Sequence, residues 1–292
     1  MRPTGAVVVP LLLMLLSSTS AMRIGGSGRD EDKAEAGRNS RRSASRASQP
    51  AASAEDEPAP APAAASATPA AAAPSSSSSS QSSPPTLLVV GSLNLDVIIQ
   101  VERLPAQGET VVALKPDAEF ALGGKGANQA VAAARLASAG GPRCEFACQF
   151  GNDAHAAKME STLASSGLGL DACGRSEASA SGQGIAMLQA GGAVSAIVLG
   201  GANDAWTDDL ARQLVPRVKA ASALLLQREI PESVNAILAA AAAAAGVPVV
   251  YDVGGADRPL DDALLKLLTY VCPNETELAR LTQMPTTTKE EV

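Results

Sequence analysis

The chain has 292 residues, with 23 Lys and Arg against 30 Asp and Glu, for a formal net charge of −7 at pH 7. This acidic balance, with no basic stripe after residue 85, argues against a protein that binds nucleic acid. Aromatic residues are only 2% of the sequence, so the core is expected to consist of Ala, Val, Leu and Ile.

The first segment, residues 1–84, has the composition of a targeting sequence followed by a linker. Ala6 to Leu16 form an apolar run, and the small residues Ser17 to Ala21 follow it, as in a signal peptide with its cleavage site. Ala, Pro and Ser repeats then extend from Gln49 to Pro85. Such repeats cannot bury enough apolar surface to offset the entropy cost of ordering, so we expect them to be disordered.

This segment also bears on the cellular compartment. Its apolar run, followed by Ser- and Arg-rich sequence, favours a plastid or other organelle. The acidic residues Asp30, Glu31 and Asp32 are atypical of a transit peptide, and the alternative is a cytoplasmic protein with a wrongly assigned start. The predicted domain organisation is a leader and linker over residues 1–84 and a globular domain over residues 85–292.

The globular domain opens with a predicted buried strand followed by polar residues. Thr86 to Gly91 is a continuous apolar run that ends in glycine. Asn94 and Asp96 follow at the strand's carboxyl end, where ligands bind in open α/β sheets. They could bind neighbouring hydroxyl groups, or they could form a turn with their own backbone. Val97 to Val101 and Glu109 to Leu114 are predicted as further strands.

A glycine-rich segment from Phe120 to Leu136 organises the domain. Its glycines permit positive φ and close approach to a ligand, and the Ala-rich run after them favours a helix. Gly126 and Asn128 lie where that helix would begin, and Asn is a favoured N-cap. The N–H groups of the helix start and the charge of Lys125 form a candidate anion site. The alternative is a glycine turn before a packed helix.

Two familiar phosphate-binding motifs are excluded at this segment. A P-loop has Ser or Thr after its Lys, whereas Lys125 is followed by Gly126, and a dinucleotide fingerprint would need glycine at Gln129. The segment instead resembles the N-terminal signature of the ribokinase family of sugar kinases, in the Lys-Gly form typical of ribokinases rather than of fructokinases or adenosine kinases. The residues that carry this resemblance are Gly123-Gly124-Lys125-Gly126-Ala127-Asn128-Gln129-Ala130.

Strands and helices alternate along the rest of the domain, which predicts an α/β fold with a doubly wound, mostly parallel sheet and helices on both faces. The predicted strands are Cys144–Phe150, Gly182–Gln189, Val194–Leu199, Ala223–Gln227, Val247–Tyr251 and Thr269–Cys272, and the predicted helices are Ala156–Ser165, Ser233–Ala245 and Leu260–Leu268. The second and third strands form a hairpin that we assign to a small β-lid. The four cysteines form no Cys-x-x-Cys pair, and with the single His155 they indicate no zinc site.

The family resemblance implies a sugar site made from several elements. Glu229 follows a predicted strand, where the family has a sugar-contacting Glu, although a surface ion pair with Arg228 is the alternative. Asp252 ends the next strand, and its role stays open because bacterial-type ribokinases often have Asn there. The implied sugar-binding residues are Asn94, Leu95, Asp96, Gly124, Lys125, Gly126, Ala127, Asn128 and Glu229.

A second family signature is matched by Pro273-Asn274-Glu275-Thr276-Glu277. It implies that Asn274 lies near the phosphates of ATP and that Glu277 lies near Mg²⁺, with K⁺ as a further family expectation. The implied reaction is ATP-dependent phosphorylation of D-ribose at its 5-hydroxyl. The alternatives are another sugar or nucleoside kinase of the family and a non-catalytic sugar-binding protein.

The family's third signature, which carries the catalytic Asp and an anion hole, is not found before Val292. We therefore expect the base to lie beyond Val292, the matched domain to be incomplete at its C-terminal side, and the chain as given to be inactive. A homodimer through the unpaired edges of the lid is a further expectation, as is a mature domain outside the membrane.

Brief proteolysis tests the predicted domain boundary. Because the repeats before Pro84 cannot bury apolar surface, a protease should trim the chain to a start near that residue, as mass spectrometry of the surviving fragment would show. Protection of the region from Ala59 to Ser80 would contradict the prediction.

Overall fold

The computed structural model describes residues 22–23, 85–137, 141–255, 258–286 and 288. Apart from Met22 and Arg23, the targeting and linker predictions for residues 1–84 lie outside the described residues. Within the described part of the chain, no helix is both long enough and apolar enough to cross a bilayer.

The described elements alternate as the sequence predicts. The strands are β1 (Met22–Arg23), β2 (Thr86–Val90), β3 (Asn94–Val101), β4 (Glu119–Gly123), β5 (Arg143–Ala147), β6 (Gln149–Phe150), β7 (Gly174–Arg175), β8 (Gly182–Gln189), β9 (Val194–Leu199), β10 (Ala223–Gln227), β11 (Val249–Asp252) and β12 (Tyr270–Cys272). The helices are α1 (Lys125–Ala137), α2 (Ala154–Ala164), α3 (Asp208–Ala220), α4 (Glu232–Ala245), α5 (Asp262–Leu265) and α6 (Glu275–Thr282), with a 3₁₀ turn at Gly201–Ala205.

The central sheet has five described strands in the order β12-β11-β10-β2-β5, and every neighbouring pair is parallel. Alternate side chains of β2 enter two separate cores. Leu87 and Val89 pack with the residues of α1 and α2, whereas Leu88 and Val90 pack with those of α3 and α4. Helices on both faces bury a parallel sheet completely, which confirms the predicted α/β class.

The longest described helix, α4, has clear boundaries. It starts after Pro231 and ends at Gly246, whose φ of 69° is a left-handed conformation that glycine adopts without a Cβ penalty. Its buried face includes Val234, Leu238 and Ala242, which pack in the same core as Leu224 of β10. This packing holds β10, the strand before the helix, in place, and with it the residues that follow β10.

A second sheet forms the lid, with strands in the order β1-β4-β3-β8-β9. β3 lies in its middle, antiparallel to β4 and parallel to β8, while β8 and β9 form the predicted hairpin. The chain passes from the central sheet to the lid through residues 91–93, between β2 and β3. The predicted sugar-contacting residues of β3 therefore belong to the lid and not to a turn.

The strand predicted over Glu109 to Leu114 is wrong. Glu109 to Leu114 is irregular, since Val112 is 87% exposed and the segment buries too little apolar surface to be held as a strand. The antiparallel partner of β3 is instead β4, which overlaps the start of the glycine-rich segment and was not predicted as a strand.

Two further elements are shorter than predicted. The strand predicted over Cys144–Phe150 is interrupted at Cys148, where β5 ends and the separate strand β6 begins to pair with β7. The helix predicted over Leu260–Leu268 is limited to α5, because Asp261 caps its start and a turn follows Leu265.

Candidate functional site

The site forms where the loop after β2 meets the first turn of α1. The Ser92 carbonyl accepts the Ala127 N–H at 2.9 Å, and the Ser92 hydroxyl accepts the Gly126 N–H at 3.1 Å. A Cβ on Gly126 would lie 2.5 Å from the Ser92 nitrogen, so a side chain at this position is excluded. The glycine therefore allows the helix to begin directly against the loop.

The helix begins one turn earlier than the N-cap prediction for Asn128 implied. The Asn128 N–H donates to the Gly124 carbonyl at 3.0 Å, which closes the first helical turn at Lys125. Asn128 thus lies inside the first turn, half-buried. Gly124 has a φ of 88° and packs against the Ser92 carbonyl, a conformation and an approach that favour glycine.

Glu229 lies at this helix start. Its Oε2 atom accepts the Lys125 N–H at 2.8 Å and the Ser92 O–H at 2.7 Å. The ion pair with Arg228, which the sequence left as an alternative, is not formed. The Arg228 guanidinium instead donates to the Arg258 and Pro259 carbonyls and contacts Glu232.

Asp96 occupies a slot between two glycines of the neighbouring strands. Gly123 of β4 and Gly184 of β8 flank it, and a Cβ on either residue would overlap the Asp96 carboxylate. Burial raises the pKa of the Asp96 carboxyl above its usual 3.8, and the negative charge of Glu229 raises it further. Asp96 therefore lies in a partly dehydrated site, within the electrostatic influence of a second carboxylate.

Asn94 is buried and held by a second amide. The Asn203 Nδ2 group donates to Asn94 Oδ1 at 2.7 Å, while Asn203 Oδ1 accepts the Leu93 N–H at 2.8 Å. The Asn94 side-chain oxygen is therefore an acceptor inside the protein, which turns its NH₂ group away from Asn203. The predicted contacts Leu95 and Ala127 are core residues, so only their backbone atoms can serve the site.

Lys125 connects the predicted sugar residues to the predicted nucleotide residues. Its backbone binds Glu229, while its Nζ lies 3.5 Å from Asp252 Oδ1. Asp252 Oδ1 also accepts the Gly254 N–H at 2.8 Å. A Cβ on Gly254 would overlap the Lys125 ammonium and would lie 2.7 Å from Glu277 Oε1, so this glycine leaves room for a lysine beside two carboxylates.

Asn274 and Glu277 cap helix α6. Asn274 Oδ1 accepts the Glu277 N–H at 2.8 Å, and Glu277 Oε2 accepts the Asn274 N–H at 2.9 Å, which is a reciprocal capping box. Their side chains are thereby fixed at the start of a helix, where anions are favoured. Across the ranges that the structure describes, no group of three His, Cys, Asp or Glu could hold a metal.

A cleft of about 750 Å³ lies between α5 and α6. Its lining includes Leu265, Leu278 and Leu281 together with Arg228 and Glu277. None of the lining residues is a predicted sugar contact. The sugar-binding prediction therefore concerns the surface between the lid and the start of α1, and not this cleft.

Sequence reasoning gave no role to Ser92, Asn203 or the buried pair Gln129 and Gln227. The Gln227 Nε2 group donates to Gln129 Oε1 at 2.8 Å and to the Val90 carbonyl at 3.3 Å, beneath the loop after β2. A polar residue directly after a buried strand is the signal that could have singled out Ser92. Its partner Glu229 is 137 residues away, a separation that no local pattern reveals.

The comparisons with known proteins find sugar kinases, both among sequences and among solved structures. Residues 85–292 match the profile described as pfkB family carbohydrate kinase. The chain is 42% identical over 211 residues to the ribokinase of Arabidopsis thaliana, covering 71% of this chain and 54% of that protein. It is 37% identical over 199 residues to the ribokinase of Haemophilus influenzae, covering 68% of this chain and 62% of that protein.

A solved structure gives the same result. The structure of Arabidopsis thaliana ribokinase complexed with ribose and ATP superposes with a TM-score of 0.64 at 41% identity, covering 72% of this chain and 66% of that chain. The chain thus spans between about half and two thirds of the length of these relatives.

The raised pKa of Asp96 gives a pH-dependent stability. Between its usual value of 3.8 and its raised value the folded chain binds more protons than the unfolded chain, so this carboxyl lowers stability as pH rises. Asp96→Asn should therefore be more stable than the unaltered chain at pH 7, and this gain should shrink towards pH 3, as denaturant unfolding at both values would show.

The exposed Asp117 supplies the control. Asp117→Asn should change stability by less than about 0.5 kcal/mol at either pH. A loss of stability in Asp96→Asn at pH 7 would contradict the analysis, since it would mean that the folded chain favours the charged carboxylate.

Proposed function

Because the chain belongs to the pfkB family of carbohydrate kinases, we propose that residues 85–292 form the sugar-binding part of a kinase for D-ribose. The reaction is the transfer of a phosphoryl group from ATP to the 5-hydroxyl of the sugar. One observation carries the proposal: Asp96, on the lid strand β3, and Glu229, in the loop after the central strand β10, face one site in which glycines leave space for both side chains. The similarity to ribokinases supports the choice of sugar.

The proposed contacts follow from the chemistry of each group. An ionised carboxylate accepts hydrogen bonds from hydroxyl groups, and such charge-assisted bonds are about twice as strong as neutral ones. Asp96 and Glu229 would each accept from the sugar, while the NH₂ group of Asn94 would donate to it. Gly124 and the first turn of α1, with Lys125 and Asn128, would form the floor of the sugar site.

Lys125 has a position suited to phosphoryl transfer. Its ammonium group lies beyond the sugar carboxylates, towards Asp252 and Glu277. Phosphoryl transfer is catalysed mainly by positioning and by neutralising the charge of the transferred group. Lys125 would therefore hold sugar and phosphate together, with its backbone on the Glu229 side and its charge on the ATP side.

ATP and Mg²⁺ are proposed to bind beside the start of α6. Glu277 Oε2 is used in the capping box, whereas Oε1 is directed towards Gly254 and Lys125. In sites of this type Mg²⁺ needs only one or two carboxylates, because substrate phosphates and waters complete its shell. A single free carboxylate oxygen fits that requirement, and the metal would supply charge neutralisation. K⁺ stays an expectation from the family.

The lid supports a proposed homodimer. The outer strand β9 presents Val194, Ile197, Val198 and Leu199 to solvent, each about half exposed or more. Contiguous exposed apolar side chains on a sheet edge are typical of an interaction surface. A second copy of the lid would cover these side chains, and the same side chains of that copy would be covered in return.

Ribose binding tests the proposed function. Asp96→Ala should weaken the binding of D-ribose by about 1.5–3 kcal/mol, because a charge-assisted hydrogen bond is lost. Calorimetry would measure this affinity, and D-fructose and adenosine should bind more weakly than D-ribose. Asp117→Ala, at an exposed position, is the control. An unchanged affinity in Asp96→Ala would leave Asp96 only a structural role.

Sedimentation tests the proposed dimer. Val198→Lys places a charge on the exposed face of β9 and should convert a dimer into monomers, because a buried unpaired charge is unfavourable. Met284→Lys changes an equally exposed residue after α6 and should leave the dimer intact. A monomeric unaltered chain at micromolar concentration would refute the proposal.

A further inference from the structure

Ser92 has a fully buried hydroxyl group with a defined role in the hydrogen-bond network. Its side chain has no solvent exposure, and its Oγ atom lies between the Gly126 N–H at 3.1 Å and Glu229 Oε2 at 2.7 Å. Because an N–H can only donate, the hydroxyl accepts from Gly126. Its single proton is therefore donated to Glu229.

This arrangement selects one oxygen of the Glu229 carboxylate. Among the described residues, both hydrogen bonds to that group, from the Ser92 O–H and the Lys125 N–H, end on Oε2. A carboxylate with one oxygen held at two points has a fixed rotamer. The second oxygen, Oε1, then points away from the helix start and is left for a ligand.

The packing around Ser92 leaves few alternatives to serine. A Cβ on Gly126 would lie only 2.5 Å from the Ser92 nitrogen, and the Ser92 carbonyl accepts the Ala127 N–H. Alanine would leave the Gly126 N–H and one bonding position of Glu229 unsatisfied in a buried place, which is unfavourable. The hydroxyl is thus the small donor and acceptor that this junction requires.

We propose that Ser92 is a positioning residue for ribose binding. Its hydroxyl holds Glu229 Oε2 against the start of α1, so that Oε1 is presented to a hydroxyl group of the sugar. This inference rests on the proposed function, and it adds a residue that acts on the sugar only through Glu229.

A double-mutant cycle in ribose affinity tests this inference. Ser92→Ala should weaken D-ribose binding about 10-fold, the effect of losing one hydrogen bond to a charged group. In a Glu229→Ala background the same change should alter the affinity less than about twofold, because two residues that act through one contact are not additive. Ser92→Cys, with a similar shape and a weaker donor, should lie between Ser and Ala.

Ser181 supplies a matched control. It is also buried, and its hydroxyl also donates to a carboxylate, Asp153 Oδ1, at 2.9 Å. Ser181→Ala should lower stability by a similar amount to Ser92→Ala but leave ribose affinity unchanged. If Ser92→Ala does not fold, Ser92→Cys and its double variant with Glu229→Ala give the same cycle.

The outcomes separate this inference from the function on which it rests. A Ser92→Ala chain that is destabilised like Ser181→Ala yet binds ribose normally would overturn the role of Ser92 alone. An equal loss of affinity with and without Glu229 would overturn it as well. Unchanged affinity in Glu229→Ala, or no ribose binding by the unaltered chain, would overturn the proposed sugar site and this inference with it.

Discussion

The contact between the loop after β2 and the first turn of α1 is the constraint on which the site depends. Gly126 has no side chain, so the helix can begin against the backbone of Ser92. Three N–H groups of the helix start are then used at once: Lys125 donates to Glu229, Gly126 to the Ser92 hydroxyl and Ala127 to the Ser92 carbonyl. A helix start that would otherwise bind any anion here binds one carboxylate of the protein itself.

The site holds the Asp96 carboxyl where its charged form is disfavoured. Asp96 is partly buried beside Glu229, and its pKa is raised for both reasons. A fold selected only for stability would not place two carboxylates together in this way. A carboxyl with a raised pKa is typical of a functional site, and the glycines on both sides of Asp96 leave room for its side chain. In the proposed function, the hydroxyl groups of a sugar would donate hydrogen bonds to these carboxylates.

Much of the fold could be predicted because its signals are local. The apolar runs of β2 and β10, the hairpin of β8 and β9, and the glycine stop of α4 are all short-range patterns. β4 was missed because its glycine and its brief alternation resemble a loop. Some contacts join residues far apart in the sequence, such as Ser92 with Glu229 and Asn94 with Asn203. No pattern in the spacing of residues along the chain predicts them. The family resemblance named most of the candidate ligands, but not the residues that orient them.

A crystal structure of the chain soaked with D-ribose tests the central claim most directly. The account predicts density for the sugar between the lid and the start of α1, with hydroxyl groups within hydrogen-bond distance of Asp96 and of Glu229 Oε1. It predicts the Ser92 and Lys125 bonds to Oε2 to be unchanged. Sugar bound instead in the cleft between α5 and α6, or a Glu229 carboxylate rotated so that neither oxygen meets the sugar, would contradict it.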